Sequence, residues 1–588
     1  MNMRWYAPIV LLWLGVCTTT LASTTRAETV QFNLDPLIDK AASHPTQFAV
    51  DVAHRVSSET NGHWQLRPTI ATWEYAIRIP TAVTLAFHAK RLLLPPNGVL
   101  TLTAGGQTYT YRAQDLHRTE LWSRLVRGDE IALAIRVPRS ERAQTLLEIA
   151  SFQAGYRSLV PGLPDNAHYQ RLKTTQPLST SSTCVQNYTC DATASNQSQA
   201  NSTVAVIVGN QFGCSGTLIN DVPEDGVPYV LTARHCENGE PGGGDPGAAS
   251  SVDVYWNATT PCGQTLVSVF DASTEVQDGA TTVVEQQDEW LIRLDTPPAA
   301  SNAYFAGWNV SGAPIIGGFS IDYSNADTQQ YVAWAGTAVE QSISAATLGV
   351  GYSATFWGVV NSLGSVDHGA SGTALFDSNG HAVGVLSRAI AGQCPANPPP
   401  TPSASTAVAL YNDMAATWSS TADPTSTTGA VTLATALDPS NTGTLTQEGI
   451  AGVPPSDSLT ASQLSSQVGS AITLSFTAST GSVCTASGGL SGDGWIGTIA
   501  ANPFGSSNVT ETSAGNVTYV LTCASGSRSA TAKVTVTWTL APPTLSLQAS
   551  SAALTVGVPT TLSWTSSATT CTASGGAAGD GWSGTLPS

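Results

Sequence analysis

The sequence predicts an all-β protein of several domains, and three observations carry that reading. Charged residues make up only 11% of the chain, with 15 Trp and 15 Tyr against few Lys, a composition that favours strands and turns. Short apolar runs recur throughout, broken by Gly, Pro, Asn and Asp, which is the pattern of closely spaced strands and not of alternating βα units. The C-terminal part repeats itself at immunoglobulin-domain length. With 588 residues the chain exceeds one hydrophobic core, and length alone suggests about three to five domains. The 41% apolar content is ample for packed cores.

Residues 1–27 read as a signal peptide. Arg4 supplies the positive start, and Ala7 to Val16 is an apolar run of signal length, too short to span a bilayer. Small residues allow cleavage after Ala22 or Ala27. Val16 stands where a lipid-attachment motif around Cys17 wants a small residue, so a lipoprotein is not expected. No later segment is apolar enough to cross a membrane, and the protein is expected to be secreted. A net charge of −18 repels phosphate backbones and argues against nucleic-acid binding.

Residues 28–178 contain no cysteine and hold most of the Lys and Arg. Runs such as Val99–Ala104 and Ile131–Val137 alternate as strands do. A basic, cysteine-free segment ahead of a cysteine-bearing one suits a removable pro-region, although composition alone equally allows an N-terminal domain that stays attached.

Residues 179–452 hold Cys184, Cys190, Cys214, Cys236, Cys262 and Cys394. An exported chain meets an oxidising environment, so disulfides are the default. No cysteine or histidine cluster has zinc spacing, and neither metal nor cofactor is expected. The apolar run Tyr229–Ala233 leads straight to Arg234, His235 and Cys236. A bridge from Cys214 to Cys236 would close a loop of about 20 residues, worth about 3 kcal/mol in the chain-entropy model, and would hold the imidazole. A lone histidine in such a place is more often structural. Ser371 changes that balance. It lies in Asp367-His-Gly-Ala-Ser-Gly-Thr, where glycines let the backbone turn sharply ahead of the strand at Ala374, and where the Gly369 and Ser371 amides can converge as an oxyanion hole. Asp288, just before an apolar strand, is the candidate carboxylate, with Glu289 pointing the opposite way by strand pleat. The order His235, Asp288, Ser371 is that of chymotrypsin and differs from subtilisin and the α/β-hydrolases.

Across this block the chain resembles the lysyl endopeptidase branch of the trypsin-like serine proteases, known from secreted bacterial enzymes. The segments that carry the likeness are GTLIN before PYVLTARHC, VDVYWN at Val252, QDEWLIRL around Asp288, AGW at Ala306, VAW at Val332, HGASGTALF around Ser371 and LDPSNTG at Leu437. The region around ELW at Glu120 and GDE at Gly128 resembles that family's pro-region, which favours the removable reading. The resemblance implies a chymotrypsin-like double β-barrel with the triad in the cleft, and bridges Cys214–Cys236, Cys184–Cys394 and Cys190–Cys262. It implies a serine endopeptidase acting on protein or peptide substrates, with His235 as base, Asp288 holding the imidazole and Ser371 as nucleophile.

Two departures matter. Trypsin has an Asp immediately before the nucleophile to receive the new N-terminus; here that residue is Ala370, so cleavage near 174–183 would act by removing an inhibitory pro-region. A buried pocket for Lys or Arg needs an opposing acid. Between Gly384 and Tyr411 there is none: Ser405 aligns nearest, and Ser365 occupies the trypsin-type acid position. Asp367 is the one acid left nearby. Arg388 follows Leu386-Ser387 in the substrate-binding strand, so a neutral residue at the cut is expected first, with acidic ones conceivable.

In the tail, CTASGGLSGDGW from Cys484 recurs as CTASGGAAGDGW from Cys571. Residues 458–540 are expected to form an Ig-like sandwich with Cys484 bonded to Cys523 across its two sheets, and residues 543–588 a truncated second copy whose Cys571 lacks a counterpart. Such repeats suit a cell-surface or cell-wall target, a passive spacer or a removable extension. They also motivate the rival reading of the chain as a catalytically inactive protease-like binding or adhesin protein.

Overall fold

A computed structural model describes residues 28–587 apart from 31, 45, 117, 160–163, 176–183, 194, 240–242, 244, 246–247, 274, 391–392, 397–402, 404, 452–456, 479–482, 500–503 and 526–527. The signal-peptide reading and most of the 174–183 stretch lie outside these residues. The chain divides into two compact units, Met1–Ala451 and Gly452–Ser588.

Residues 28–155 form two six-stranded sheets. In one, Ile70–Arg78 pairs Glu130–Pro138, which pairs Val99–Ala104; in the other, Thr84–Leu93 pairs Leu146–Gly155. Alternate residues along Glu130–Pro138 are buried, so Ile131, Leu133, Ile135 and Val137 meet Trp73, Leu100 and Phe152 in one core. This part has an apolar interior of its own.

The central block holds a chymotrypsin-like pair of sheets, antiparallel but for the pairing of Trp308 with Ala382. The first runs in the order Glu275–Asp278, Val252–Trp256, Thr203–Val208, Phe212–Ile219, Tyr229–Ala233, Glu289–Leu294, Ala280–Gln286. The second has ten strands, among them Ile316–Asp322, Ala354–Val359, Ala374–Asp377, Ala382–Ala389 and Ala409–Asp413. Strands such as Thr203–Val208 and Val252–Trp256 are buried at every position, which explains why they read as continuous apolar runs and not as alternation. The Ala306 amide donates to the Leu218 carbonyl at 2.9 Å and its carbonyl accepts the Asn220 amide at 2.9 Å, tying the first sheet to the segment that enters the second at Trp308. Disulfides join Cys184 to Cys394, Cys190 to Cys262 and Cys214 to Cys236.

In the second unit a three-stranded sheet (Asp457–Ala461, Ile472–Ala478, Phe504–Val509) accompanies a five-stranded one that contains Val483–Gly488, Gly515–Ser525 and Arg528–Thr539. Trp495, Phe476, Tyr519 and Trp538 fill the core of this repeat. The Cys484–Cys523 bond corrects the expectation of an inter-sheet bridge. The two cysteines are direct partners on neighbouring strands of the same five-stranded sheet, with Cα atoms 3.9 Å apart. The second copy pairs Leu545–Ala549 with Leu562–Ser566 and Thr570–Ala573 with Gly584–Pro587. Cys571 is unbonded, and Leu547, Val556 and Val558 are exposed.

Candidate active site

The strand Tyr229–Ala233 lies between Phe212–Ile219 and Glu289–Leu294, and its register sets the site. Ala233 pairs with Glu289, so the next residues on each chain, Arg234 and Asp288, meet just beyond the ladder. The Arg234 amide donates to the Asp288 carbonyl at 3.1 Å. Asp288 itself sits with Gln287 in the two-residue turn between Ala280–Gln286 and Glu289–Leu294, and Gln287 has a positive φ of 54°.

The register leaves His235 facing the Asp288 carboxylate. The His235 amide donates to Oδ1 at 2.9 Å, and its ring Nδ1 lies 2.9 Å from Oδ2 and 3.1 Å from Oδ1. The Ser387 hydroxyl donates to Oδ2 as well. Burial opposes the charged imidazole, but the charge of Asp288 and its hydrogen bond outweigh it, and Arg388 subtracts a little; the net shift is upward. For Asp288, burial pushes the other way, and the charge and hydrogen bond of His235, the Ser387 hydroxyl and the His235 amide together hold it below the ordinary carboxylate range.

Ser371 comes from the other sheet and is held by its backbone. Its carbonyl accepts the Ser215 amide at 2.8 Å, and the following Gly372 amide donates to the Leu386 carbonyl at 2.9 Å. The Ser371 carbonyl lies 4.0 Å from Cys236 Sγ, beside His235. Gly372 has a φ of +88°, and a Cβ there would stand 2.3 Å from the Ser215 carbonyl oxygen, so only glycine fits this close approach. Gly369, with φ +96°, has its carbonyl held by the Ser215 hydroxyl at 2.9 Å. The Gly369 and Ser371 amides have no protein acceptor among the described residues, whereas the intervening Ala370 amide donates to Asp367. Ser371 is half-exposed, and no hydrogen bond joins its hydroxyl to His235.

Three residues with a part in this arrangement escaped sequence reasoning. Ser215 holds both Gly369 and Ser371, and Ser387 holds Asp288; each is a serine among many, with no local signal. The third, Arg234, is next to the histidine and is fully buried, with Asp423 at 3.0 Å and Glu285 at 3.3 Å.

Around the specificity candidates, Ser365 is buried with no partner for its hydroxyl. Asp367 is buried and accepts the His368 amide at 2.7 Å and Asn325 Nδ2 at 3.3 Å. Ser405 is exposed and lies near Ser403, outside the buried strand Ala409–Asp413. Arg388 is exposed and donates to the Leu348 carbonyl at 3.1 Å. Among the described residues, Cys214, His235 and Cys236 lie close enough to suggest a metal site, but the cysteines are bonded to each other and offer no thiolate.

Residues 178–399 match the family described as lysyl endopeptidase, C-terminal domain. Solved structures with a likeness include the VesB protease of Vibrio cholerae, at 14% identity over 57% of this chain and 96% of that one, with a TM-score of 0.24. The secreted serine protease VesC of the same organism shows 16% identity over 59% of this chain and 70% of that one, with a TM-score of 0.26.

Proposed function

We propose that this chain, whose residues 178–399 are a serine protease domain of the lysyl endopeptidase type, is a secreted endopeptidase made as a precursor and working through His235, Asp288 and Ser371. The observation that carries the reading is the double hydrogen bond from the amide and ring of His235 to Asp288, beside a serine whose own amide and that of Gly369 are uncommitted. Asp288 keeps the Nδ1–H tautomer of His235, leaving Nε2 free to take the proton of Ser371 as its oxygen attacks a peptide carbonyl. The Gly369 and Ser371 amides receive the oxyanion, each donor being worth about a hundredfold or more in rate. His235 then passes the proton to the leaving amine, and a water molecule, deprotonated in turn by His235, releases the acyl group from Ser371.

The residue preferred at the cut is a neutral one. Ser365 supports this as a buried, uncharged group, and Asp367 is engaged by its neighbours. The C-terminal repeats are read as a passive spacer or removable extension, or as an attachment to a cell-surface or cell-wall target, with no nucleic acid or membrane as partner.

Labelling matured protein with a fluorophosphonate tests the assignment, with Ser371→Ala as control. Covalent labelling that the substitution abolishes is expected. Failure to label under conditions where the protein is folded would support the inactive binding-protein reading. Cleavage of a peptide library should show no enrichment for Lys; strong Lys selectivity would overturn the pocket reading.

A further inference from the structure

The segment Thr46–Phe48 of the N-terminal part runs along the edge of the strand Phe212–Ile219. The Gly213 amide donates to the Thr46 carbonyl at 3.1 Å, the Phe48 amide donates to the Gln211 carbonyl at 2.8 Å, and Gln47 bridges Phe212 in antiparallel fashion. That edge is available because Tyr229–Ala233 pairs only with Thr217–Ile219 further along. Two residues beyond Gly213, the Ser215 amide carries the carbonyl of Ser371. On the opposite flank, the Gly372 amide is held by Leu386, whose strand continues through Ser387 to exposed Arg388 and Ala389.

Ser371 therefore stands between two strands that lead away from it. An extended polypeptide with its scissile carbonyl at Ser371 runs out along both, because strand addition is the general way a sheet edge takes an extended chain. One of the two edges is occupied. Phe48 and Arg157 share a small crevice with Gly213, Asn325, His368 and Gly369, immediately beside one candidate oxyanion amide.

We propose that the N-terminal part is an intramolecular inhibitor that fills half of the substrate groove, with Thr46–Phe48 lying on Gln211–Gly213 in place of one arm of an extended polypeptide. This rests on the peptidase reading above. Ser371 is half-exposed and Arg388 and Ala389 are exposed, so the block is on long substrates and not on the nucleophile.

Charge complementarity holds the inhibitor in place. Arg118 reaches Asp295 through Nε at 2.5 Å and Nη2 at 2.7 Å, Arg124 lies 2.9 Å from Asp278, and Arg127 pairs with Asp271. All three arginines come from the basic N-terminal part and all three acids from the first protease sheet or its connections. Phe48 is buried against Phe270, Tyr323 and Ala326, which adds an apolar anchor at the paired segment itself. The bidentate geometry at Asp295 is the stronger kind of ion pair.

The test compares the intact chain, the matured chain and an intact chain carrying Arg118→Glu, Arg124→Glu and Arg127→Glu. Three probes are used: a small fluorophosphonate, a peptide ester with residues on the acyl side only, and an internally quenched peptide extending on both sides. The intact chain should react with the phosphonate and the ester within a fewfold of the matured chain, but cleave the two-sided peptide about a hundredfold more slowly, the scale of two lost strand bonds and a displaced side chain. Charge reversal should restore two-sided cleavage and leave the ester rate unchanged, and that ester rate also reports that the variant has folded. Phe48→Ala, which removes the apolar anchor, should act in the same direction. Equal suppression of all three probes in the intact chain, or undiminished cleavage of the two-sided peptide, overturns the proposal. A matured chain that fails to react with the phosphonate overturns the peptidase reading instead.

Discussion

Arg234 and Asp423 meet at 3.0 Å with both side chains shut away from solvent, and the Asp423 oxygen that takes the guanidinium also accepts the Gln287 amide at 2.8 Å. One carboxylate thus holds the residue before His235 and the residue before Asp288. Thr425 completes the clamp, donating its hydroxyl to Asp423 Oδ1 at 2.7 Å while its carbonyl accepts Arg234 Nη2 at 2.5 Å.

Asp423→Ala leaves a buried guanidinium with Glu285 as its one remaining ion-pair partner among the described residues, beside the neutral Thr425. Urea unfolding should show a loss of about 3–5 kcal/mol, the usual cost of removing one partner from a buried pair. Where the variant still folds, kcat should fall more than KM rises, because misplacement of about 1 Å at a reacting group costs on the order of a hundredfold. An unchanged kcat would show that the clamp is structural only.

The His235–Asp288 pair predicts the pH profile. The proposed mechanism needs neutral His235, whose pKa is raised, so kcat/KM should climb with pH along a limb lying above the ordinary imidazole value. Asp288→Asn removes the charge responsible; the limb should move to lower pH while kcat drops about ten-thousandfold. For stability the signs differ. The imidazolium contributes fully below the unfolded value of about 6.5 and is lost as pH rises through the raised folded value. The Asp288 carboxylate contributes above about 3.9 and is lost as pH falls through its depressed folded value. These are two descriptions of one interaction, so the pair helps the fold most at intermediate, mildly acidic pH.

Ser215 should matter to catalysis although it touches no reacting atom. Its hydroxyl donates to the Gly369 carbonyl and accepts the Tyr323 amide, each at 2.9 Å. Ser215→Ala leaves a buried amide and carbonyl unpaired, at a cost of about 1–3 kcal/mol in stability. Loosening Gly369 should lower kcat with little effect on KM, and the ratio of the two parameters distinguishes this from general destabilisation.

Glu289 is a carboxyl in a fully buried place, pushed up to about 8 by that burial, with Thr417 and Asn412 opposing the shift. An acid whose folded value is raised binds its proton more tightly in the native state, so stability should decline as pH rises from about 4.3 towards the folded value. Glu289→Gln should flatten that decline in denaturant titrations taken at a series of pH values. A slope equal to that of the parent chain would show that Glu289 does not titrate in this range.

Much of the fold was legible locally. The apolar runs at Val204, Tyr229, Val252 and Ala382 are strands, because short apolar stretches rich in β-branched and aromatic residues and bounded by turn residues have few other solutions. The glycines around Ser371 announced a sharp turn, and the positive φ values of Gly369 and Gly372 show the physical need for them. The Cys484–Cys523 bond shows the limit. A spacing of 39 residues says that two cysteines can meet, but whether across sheets or along one ladder depends on strand order.

By itself, then, the chain's order of residues determined which stretches extend, where they turn and which polar groups stand at their ends, since these follow from side-chain shape and backbone sterics within a few residues. Tertiary structure alone decided that Ser387 reaches Asp288, that Asp423 grips both approaches to the site and that Thr46–Phe48 lies on Gln211–Gly213. Those contacts link residues about 100 or more positions apart in most cases, and a strand carries no local mark of which distant edge will complete its hydrogen bonds.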